Sequence, residues 1–263
     1  MIRDEIILSV RGLDVSFKTS RGTFRAVDCV DFDLFKGKSL GIVGESGSGK
    51  STVARAIMRL LPERTAIAGG SIIFDDEDLL KAGRKGLREI RGKRIGMMMQ
   101  DALSSLDPLF TAGYQIMEAV GAHNPIGRKK AREKALELMK LTGIPEPEIR
   151  MNSYPHQLSG GMRQRILFAM AVAQNPSLLI ADEPTTALDV SMQRQILDLI
   201  AEMRERLGLS LLLVSHDIAV VSGACDSIAV MYAGRMVESG PARDCLSKPL
   251  HPYLAALLSS HPP

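Results

Sequence analysis

Short apolar runs alternate with helical apolar stripes along this chain of 263 residues. The runs at 178–181 and 209–214 predict buried strands, and the stripe between them, at 196–207, predicts an amphipathic helix. Gly208 follows that stripe, at the position where a helix commonly ends. Because strands that alternate with helices build a parallel sheet covered on both faces, we expect an α/β fold with a mostly parallel sheet.

The same patterns predict further elements on the N-terminal side of this region. We expect two strands near the start of the chain, a third that ends at Gln100, and two helical regions (strands at 6–17, 27–35 and 95–99; helices at 114–143 and 161–173). The segment 81–94 holds seven basic residues and one acidic residue. Since no aromatic residues are interleaved there to stack on bases, we interpret it as a solvated loop rather than a nucleic-acid patch.

The composition is that of an ordinary globular protein, with 45% hydrophobic and 24% charged residues. A formal net charge of +3 is too small to indicate a nucleic-acid partner. No apolar run approaches the roughly 18 residues needed to span a bilayer, and the N-terminus lacks the apolar segment of a secretion signal. The three cysteines lack metal-ligand spacing, so we expect each to be a small buried residue in a reducing compartment. These observations predict a cytoplasmic protein.

One stretch carries specific chemistry, because Gly44–Ser51 fits the phosphate-loop pattern of Gly, four residues, Gly, Lys and Ser. The apolar residues before it predict a buried strand, and those after it recur at helical spacing; a flexible Gly/Ser turn is the alternative. Glycines let backbone amides point inward toward polyphosphate, Lys50 adds positive charge, and Ser51 offers a hydroxyl to Mg²⁺. The expected nucleotide-binding residues here are Gly44, Glu45, Ser46, Gly47, Ser48, Gly49, Lys50, Ser51 and Thr52. The sequence therefore predicts binding of a nucleoside triphosphate.

Polar residues also follow two of the predicted strands. Asp182 and Glu183 end the run at 178–181, and the pair resembles the second ATPase motif of phosphate-loop enzymes. Asp182 suits Mg²⁺ together with Ser51, and Glu183 is placed to polarise a water for attack on the γ-phosphate; a helix N-cap is the alternative for such a pair. The run at 209–214 ends at Ser215-His216-Asp217. Both sets thus lie at carboxyl ends of strands, where ligands of such sheets bind.

The segment Leu158-Ser159-Gly160-Gly161-Met162-Arg163-Gln164-Arg165 is the most specific motif of the chain. It resembles the signature of ATP-binding-cassette (ABC) ATPases. The other motifs of that family follow in the expected order: Phe17 resembles the adenine-stacking aromatic, Gln100 the Q-loop glutamine, Thr186-Ala187-Leu188-Asp189 the D-loop, and His216 the switch histidine. On its own, Phe17 is interpreted more simply as a core residue at a strand end.

This resemblance implies a complete architecture and mechanism. The chain would be a single nucleotide-binding domain, with an ATPase core and antiparallel β subdomain at 1–100 and 161–240, an inserted α-helical subdomain at 101–160 and a tail at 241–263. Two such cassettes would sandwich ATP, so that Leu158, Ser159, Gly160, Gly161 and Met162 of one face the γ-phosphate bound by the other, with Asp189 across the dimer contact. Glu183, His216 and Gln100 would be catalytic, and Ser51, Gln100 and Asp182 would bind Mg²⁺.

Three further segments resemble one branch of the family, the ATPases of dipeptide, oligopeptide and nickel importers: Gln100–Pro108, Tyr154–Gln157 and His251–Leu254. The resemblance implies two transmembrane permeases, a second cassette that is either a copy or a relative, and an extracytoplasmic solute-binding protein. The cassette would be peripheral on the cytoplasmic face of the membrane. Because the clustered cysteines of longer members are missing before Pro263, we expect no iron–sulfur cluster. A non-transport cassette of a soluble complex, such as carbon–phosphorus lyase, is the alternative.

Overall fold

The computed structural model describes residues 5–20, 22–62, 66–100, 105–186 and 188–260. It divides into two compact units, one formed by residues up to Leu87 together with Ser210 onward, and the other by Arg88–Leu209. We call them the first and second units. The first boundary falls within a helix, α2 (Arg84–Ile90).

The first unit contains an antiparallel sheet of four strands. Its strands are β1 (Ile6–Thr19), β2 (Gly22–Phe35), β4 (Ala66–Phe74) and β5 (Glu77–Asp78), in the order β2-β1-β4-β5. The two predicted strands near the start of the chain are therefore confirmed as β1 and β2, with Phe17 directly opposite Phe24 in their register. Side chains opposite each other in a ladder share a face of the sheet, so these two rings lie on the same face.

The same unit also contains strands that pair in parallel. The central strand β3 (Ser39–Val43) pairs in parallel with β8 (Ser210–Ser215) on one side and β9 (Ser227–Tyr232) on the other, and β10 (Arg235–Pro241) is antiparallel to β9. Every residue of β3 and β8 is buried, as expected for strands covered on both faces. The mostly parallel pattern predicted from the apolar runs is thus present.

Four helices lie wholly within the described residues of the first unit: α1 (Lys50–Ile57), α8 (Ile218–Ala224), α9 (Ala242–Ser247) and α10 (Pro252–Ser260). Helix α1 buries Val53, Ala54 and Ile57, the residues whose spacing predicted it. Helix α8 lies close against β3, since a Cβ added at Gly41 would fall 2.0 Å from Val221 Cγ1. Glycine at this position permits the close approach.

The second unit combines a pair of parallel strands, β6 (Ile95–Met98) and β7 (Leu178–Asp182), with a set of helices. The helices are α3 (Ala112–Gly121), α4 (Arg128–Leu141), α5 (Pro147–Arg150), a 3₁₀ turn at Pro155–Gln157, α6 (Gly160–Ala171) and α7 (Val190–Leu207). Their shared core includes Ile116, Ala135, Met139 and Ile166, all fully buried. The strand register places Met98 opposite Ala181, so the segments after both strands begin at the same edge.

Three expectations from the sequence require correction. The helical pattern at 114–143 is two helices rather than one, because Pro125 and Gly127 interrupt it. The basic segment 81–94 is not simply a loop: it contains α2, whose end is anchored by the buried Ile90. The basic side chains of α2 are exposed, so this part of the segment is a solvated helix.

The cysteines also differ from expectation. Only Cys245 is buried, whereas Cys225 is half-buried and Cys29 is exposed. Cys29 lies in β2 on the solvent side of a regular alternation in which Val30, Phe32 and Leu34 are buried, so its side chain is exposed. Every helix within the described ranges is too short or too polar to cross a bilayer.

Candidate active site

The phosphate loop joins β3 to α1 and depends on glycine. Gly44, Gly47 and Gly49 all have positive φ values, of 158°, 83° and 106°. Two of them also lie against backbone, because an added Cβ would fall 2.1 Å from the Met231 carbonyl oxygen at Gly44 and 2.4 Å from that of Ala26 at Gly49. Side chains at these two positions would therefore displace the loop from the neighbouring strands.

Lys50 is turned back into the loop. It is only 4% exposed, and its Nζ donates to the carbonyl oxygens of Gly44 at 2.6 Å and Glu45 at 2.7 Å. The first turn of α1 contains no acidic residue. The ammonium group, the loop amides and the helix N-terminus thus combine into a positive region suited to an anion such as a phosphate chain.

His216 follows the strand beside the one that leads into the loop. β3 and β8 are parallel neighbours, with Val43 paired to Ser215, so Gly44 and His216 emerge from the same edge. His216 is exposed, and Asp217 after it caps α8 by accepting from the Ala219 amide at 2.8 Å. The edge therefore carries both the phosphate loop and an imidazole, as the sequence predicts.

In the second unit, Glu183 is a buried carboxylate that accepts hydrogen bonds from Gln100 and Thr186. It is 7% exposed, and its Oε2 accepts from Gln100 Nε2 at 3.0 Å and from Thr186 Oγ1 at 2.7 Å. Its φ of 49° is unusual for a residue with a side chain. Backbone strain of this kind is concentrated at functional sites, where the fold fixes a side chain in one orientation.

Asp182 precedes Glu183 as the last residue of β7 and is 1% exposed. Two of the three ligands that the sequence predicts for Mg²⁺, the Asp182 carboxylate and the Gln100 amide, belong to the second unit, and the third, the Ser51 hydroxyl, belongs to the first unit. These hard oxygen donors fit Mg²⁺, which takes few protein ligands and completes its shell with phosphates and water. Within the described ranges there is no cluster of three or more His, Cys, Asp or Glu side chains that would form an all-protein metal site.

The signature segment starts α6. Ser159 is exposed and caps this helix by accepting from the Met162 amide at 3.3 Å, while Leu158 before it is buried and anchors the turn. The arrangement leaves a serine at a solvent-facing helix N-terminus with two glycines after it, Gly160 and Gly161. Such an end favours an anion.

Asp189 lies close to the signature because the two helices that follow these motifs pack together. It caps α7 by accepting from the Met192 amide at 2.9 Å. Met192 in turn fills the space beside Gly161, where an added Cβ would fall 1.7 Å from its Cε. Gly161 therefore permits the contact between α6 and α7.

One predicted site residue, Phe17, belongs to the antiparallel sheet, and a few other predicted residues lie outside the described ranges. Phe17 is half-buried at the end of β1, and sequence reasoning missed Phe24 opposite it, which is 59% exposed. Alternation in the second strand could have indicated that ring. Residues 101–104 of the importer-like segment Gln100–Pro108, and Ala187 of the D-loop, lie outside the described residues.

Comparison with known families agrees with this geometry. The family model described as ABC transporter matches residues 27–186, a range that includes the phosphate loop, Gln100, Ser159 and Glu183. The chain belongs to this family. It is an ABC-type ATPase.

Sequence similarity to curated relatives extends over almost the whole chain. A probable peptide ABC transporter ATP-binding protein of Sinorhizobium fredii is 49% identical over 98% of this chain and 77% of its own length. An oligopeptide transport ATP-binding protein of Bacillus subtilis is 47% identical over 100% of this chain and 74% of its own. A dipeptide transport ATP-binding protein of Haemophilus influenzae is 48% identical over 97% and 78%.

Solved structures of ABC cassettes share the fold. An ATP-binding cassette solved as a dimer in a post-hydrolysis state with ADP and Pi has a TM-score of 0.80 and 28% identity, covering 90% of this chain and 99% of that one. A cassette of the cbiONQ complex from Clostridium perfringens has a TM-score of 0.79 and 28% identity, covering 93% and 92%.

Proposed function

We propose that this ABC ATPase powers the import of dipeptides or oligopeptides. The observation that carries the ATPase chemistry is the buried Glu183 carboxylate, which Gln100 and Thr186 hold by hydrogen bonds at 3.0 Å and 2.7 Å. A carboxylate fixed in this way is prepared to accept a proton from an attacking water. The peptide assignment is supported by the printed names of the relatives, which mention peptides, dipeptides and oligopeptides.

In this proposal each of the residues described above has a role toward a bound nucleotide. The loop amides and Lys50 bind the β- and γ-phosphates, Phe17 stacks on the adenine, and His216 donates to the γ-phosphate. Glu183 takes the proton of the water, and Gln100 and Thr186 keep its carboxylate in one orientation. Ser51, Asp182 and Gln100 would hold Mg²⁺, which supplies positive charge for the phosphates when it is bound.

The signature acts on the nucleotide of a second cassette. Ser159 is exposed at a helix N-terminus, and a structurally similar cassette is a dimer with ADP and Pi. We propose that two cassettes close around ATP, with Ser159 of each against the partner's γ-phosphate and Asp189 across the contact. Loss of that phosphate after hydrolysis removes the shared charge and lets the pair open.

The partners of this subunit follow from the importer assignment. They are two transmembrane permeases, a second cassette that is a copy or a relative, and, indirectly, an extracytoplasmic binding protein that delivers the solute. The subunit would lie on the cytoplasmic face of the membrane and bind no nucleic acid. Among the solutes of this branch, the names of the relatives favour a peptide over nickel.

Reconstitution tests the proposal. The chain is co-expressed with the permeases encoded by neighbouring genes, and the purified complex is placed in vesicles with its binding protein. We expect a dipeptide or oligopeptide, and not nickel, to stimulate ATP hydrolysis and to accumulate inside. Purification with a soluble enzyme complex and without permeases would contradict the importer assignment and favour the carbon–phosphorus lyase alternative.

A further inference from the structure

The C-terminal helix of the first unit contacts the phosphate loop directly. The backbone N–H of Glu45, the second residue of the loop, donates to the Tyr253 hydroxyl at 2.9 Å. The carbonyl oxygen of Glu45 accepts from Lys50 Nζ at 2.7 Å and from the Ser48 amide at 3.2 Å. Both backbone polar groups of Glu45 are therefore hydrogen-bonded, one to the loop itself and one to a side chain 208 residues away.

Tyr253 is in turn fixed by its own surroundings. Its amide donates to His251 Nδ1 at 3.1 Å, and the amides of His251 and Leu250 donate to the Glu238 carboxylate at 2.8 Å and 3.0 Å. Its ring contacts that of Tyr232, with centroids 4.5 Å apart. A chain of contacts thus runs from β10 through the start of α10 to the phosphate loop.

The helix that carries this tyrosine is docked on the unit by apolar side chains. Leu254 is fully buried and Leu257 is 7% exposed. Burial raises the pKa of the Tyr253 phenol above its usual value, so the hydroxyl stays protonated at neutral pH. A neutral phenol accepts the Glu45 hydrogen without placing a negative charge beside a phosphate site.

We infer that Tyr253 is a positioning residue of the nucleotide site, which holds the Glu45 peptide so that the phosphate loop is already shaped to bind triphosphate. The inference rests on the proposed nucleotide site. Because glycine loses more conformational freedom than other residues when its backbone is fixed, a loop with three glycines is costly to order. A bond that orders the loop beforehand removes part of that cost and raises affinity.

The variant Tyr253→Phe tests this inference, because it removes the hydroxyl and keeps the ring beside Tyr232. Two quantities are measured on the full chain: hydrogen exchange of the Glu45 amide without nucleotide, and the Kd of a fluorescent ATP analogue with Mg²⁺. We expect faster exchange at Glu45 and a Kd about three- to tenfold higher, the size of effect that one lost hydrogen bond produces. As a further measurement, kcat for ATP hydrolysis at saturating ATP should change by a smaller factor than the Kd.

The matched control is Tyr114→Phe, which removes a hydroxyl from an exposed tyrosine of the second unit. It should leave both measurements at the wild-type values. Unchanged exchange and affinity in Tyr253→Phe would overturn the inference, and so would equal changes in both variants, since the effect would then not be specific to the loop. Failure of the wild-type chain to bind the analogue would instead refute the nucleotide site, while the exchange measurement would still test the contact.

Discussion

The side-chain amide of Gln100 donates to the carboxylate of Glu183 across 3.0 Å, although 83 residues separate them in the chain. The parallel register of β6 and β7 brings the two together, because Met98 and Ala181 are paired just before them. Gln100 follows one strand and Glu183 the other. The position of Gln100 therefore bears directly on the orientation of the proposed catalytic base.

The variant Glu183→Gln should abolish turnover and keep nucleotide binding. An amide cannot accept the proton of the attacking water, so we expect kcat for ATP hydrolysis to fall at least about 100-fold. The Kd for ATP should stay within about threefold of wild type, since the phosphate-binding groups are unchanged. Phosphate release and equilibrium binding measure the two quantities.

Glu202→Gln is the matched control for that variant. Glu202 lies on the exposed surface of α7, where it pairs with Arg206, and its replacement should leave both kcat and Kd unchanged. Substantial hydrolysis by Glu183→Gln would show that another group removes the proton.

The variant Lys50→Ala should weaken nucleotide binding itself. It removes a buried ammonium group and the two hydrogen bonds that this group donates to the Gly44 and Glu45 carbonyl oxygens. Since hydrogen bonds to charged groups are stronger than neutral ones, we expect the Kd for ATP to rise about tenfold or more. Lys36→Ala, at an exposed pair with Glu5, is the control. Equal affinities in the two variants would contradict the role of Lys50 in binding phosphate.

The sequence predicts the local parts of this site well, because each motif directly follows an apolar strand. The strand before Gly44, the strand that ends at Asp182 and the strand before His216 are all present as expected. Positive φ values at Gly44, Gly47 and Gly49 follow from the same local reasoning.

Contacts between distant segments could not be predicted in this way. Gln100 meets Glu183, and Tyr253 meets Glu45, only because of strand register and helix docking, which no local pattern encodes. Non-local pairing is decided by the whole fold rather than by one segment.

The cysteines should react with thiol reagents at different rates. Burial raises the pKa of the Cys245 thiol above its usual value, so at pH 8 less of it is thiolate than in a free cysteine, and its reaction should accelerate as pH rises. Cys29 is exposed and should account for the fast phase of reaction with an aromatic disulfide reagent. We expect Cys29→Ser to lose that phase and Cys245→Ser to retain it; the reverse pattern would show that Cys245 is accessible.

Two substitutions of Ser159 separate its role as the N-cap of α6 from its proposed role toward the nucleotide of a partner cassette. Ser159→Ala removes the acceptor for the Met162 amide and should cost about 1 kcal/mol of unfolding free energy. Ser159→Asp keeps a good cap, so its denaturant midpoint should stay near wild type, but its charge would oppose the γ-phosphate of a partner cassette. We therefore expect Ser159→Asp to lose ATP-dependent dimerisation and at least about tenfold in turnover while each monomer still binds ATP. If Ser159→Asp dimerised and hydrolysed ATP like wild type, Ser159 would serve only to cap α6.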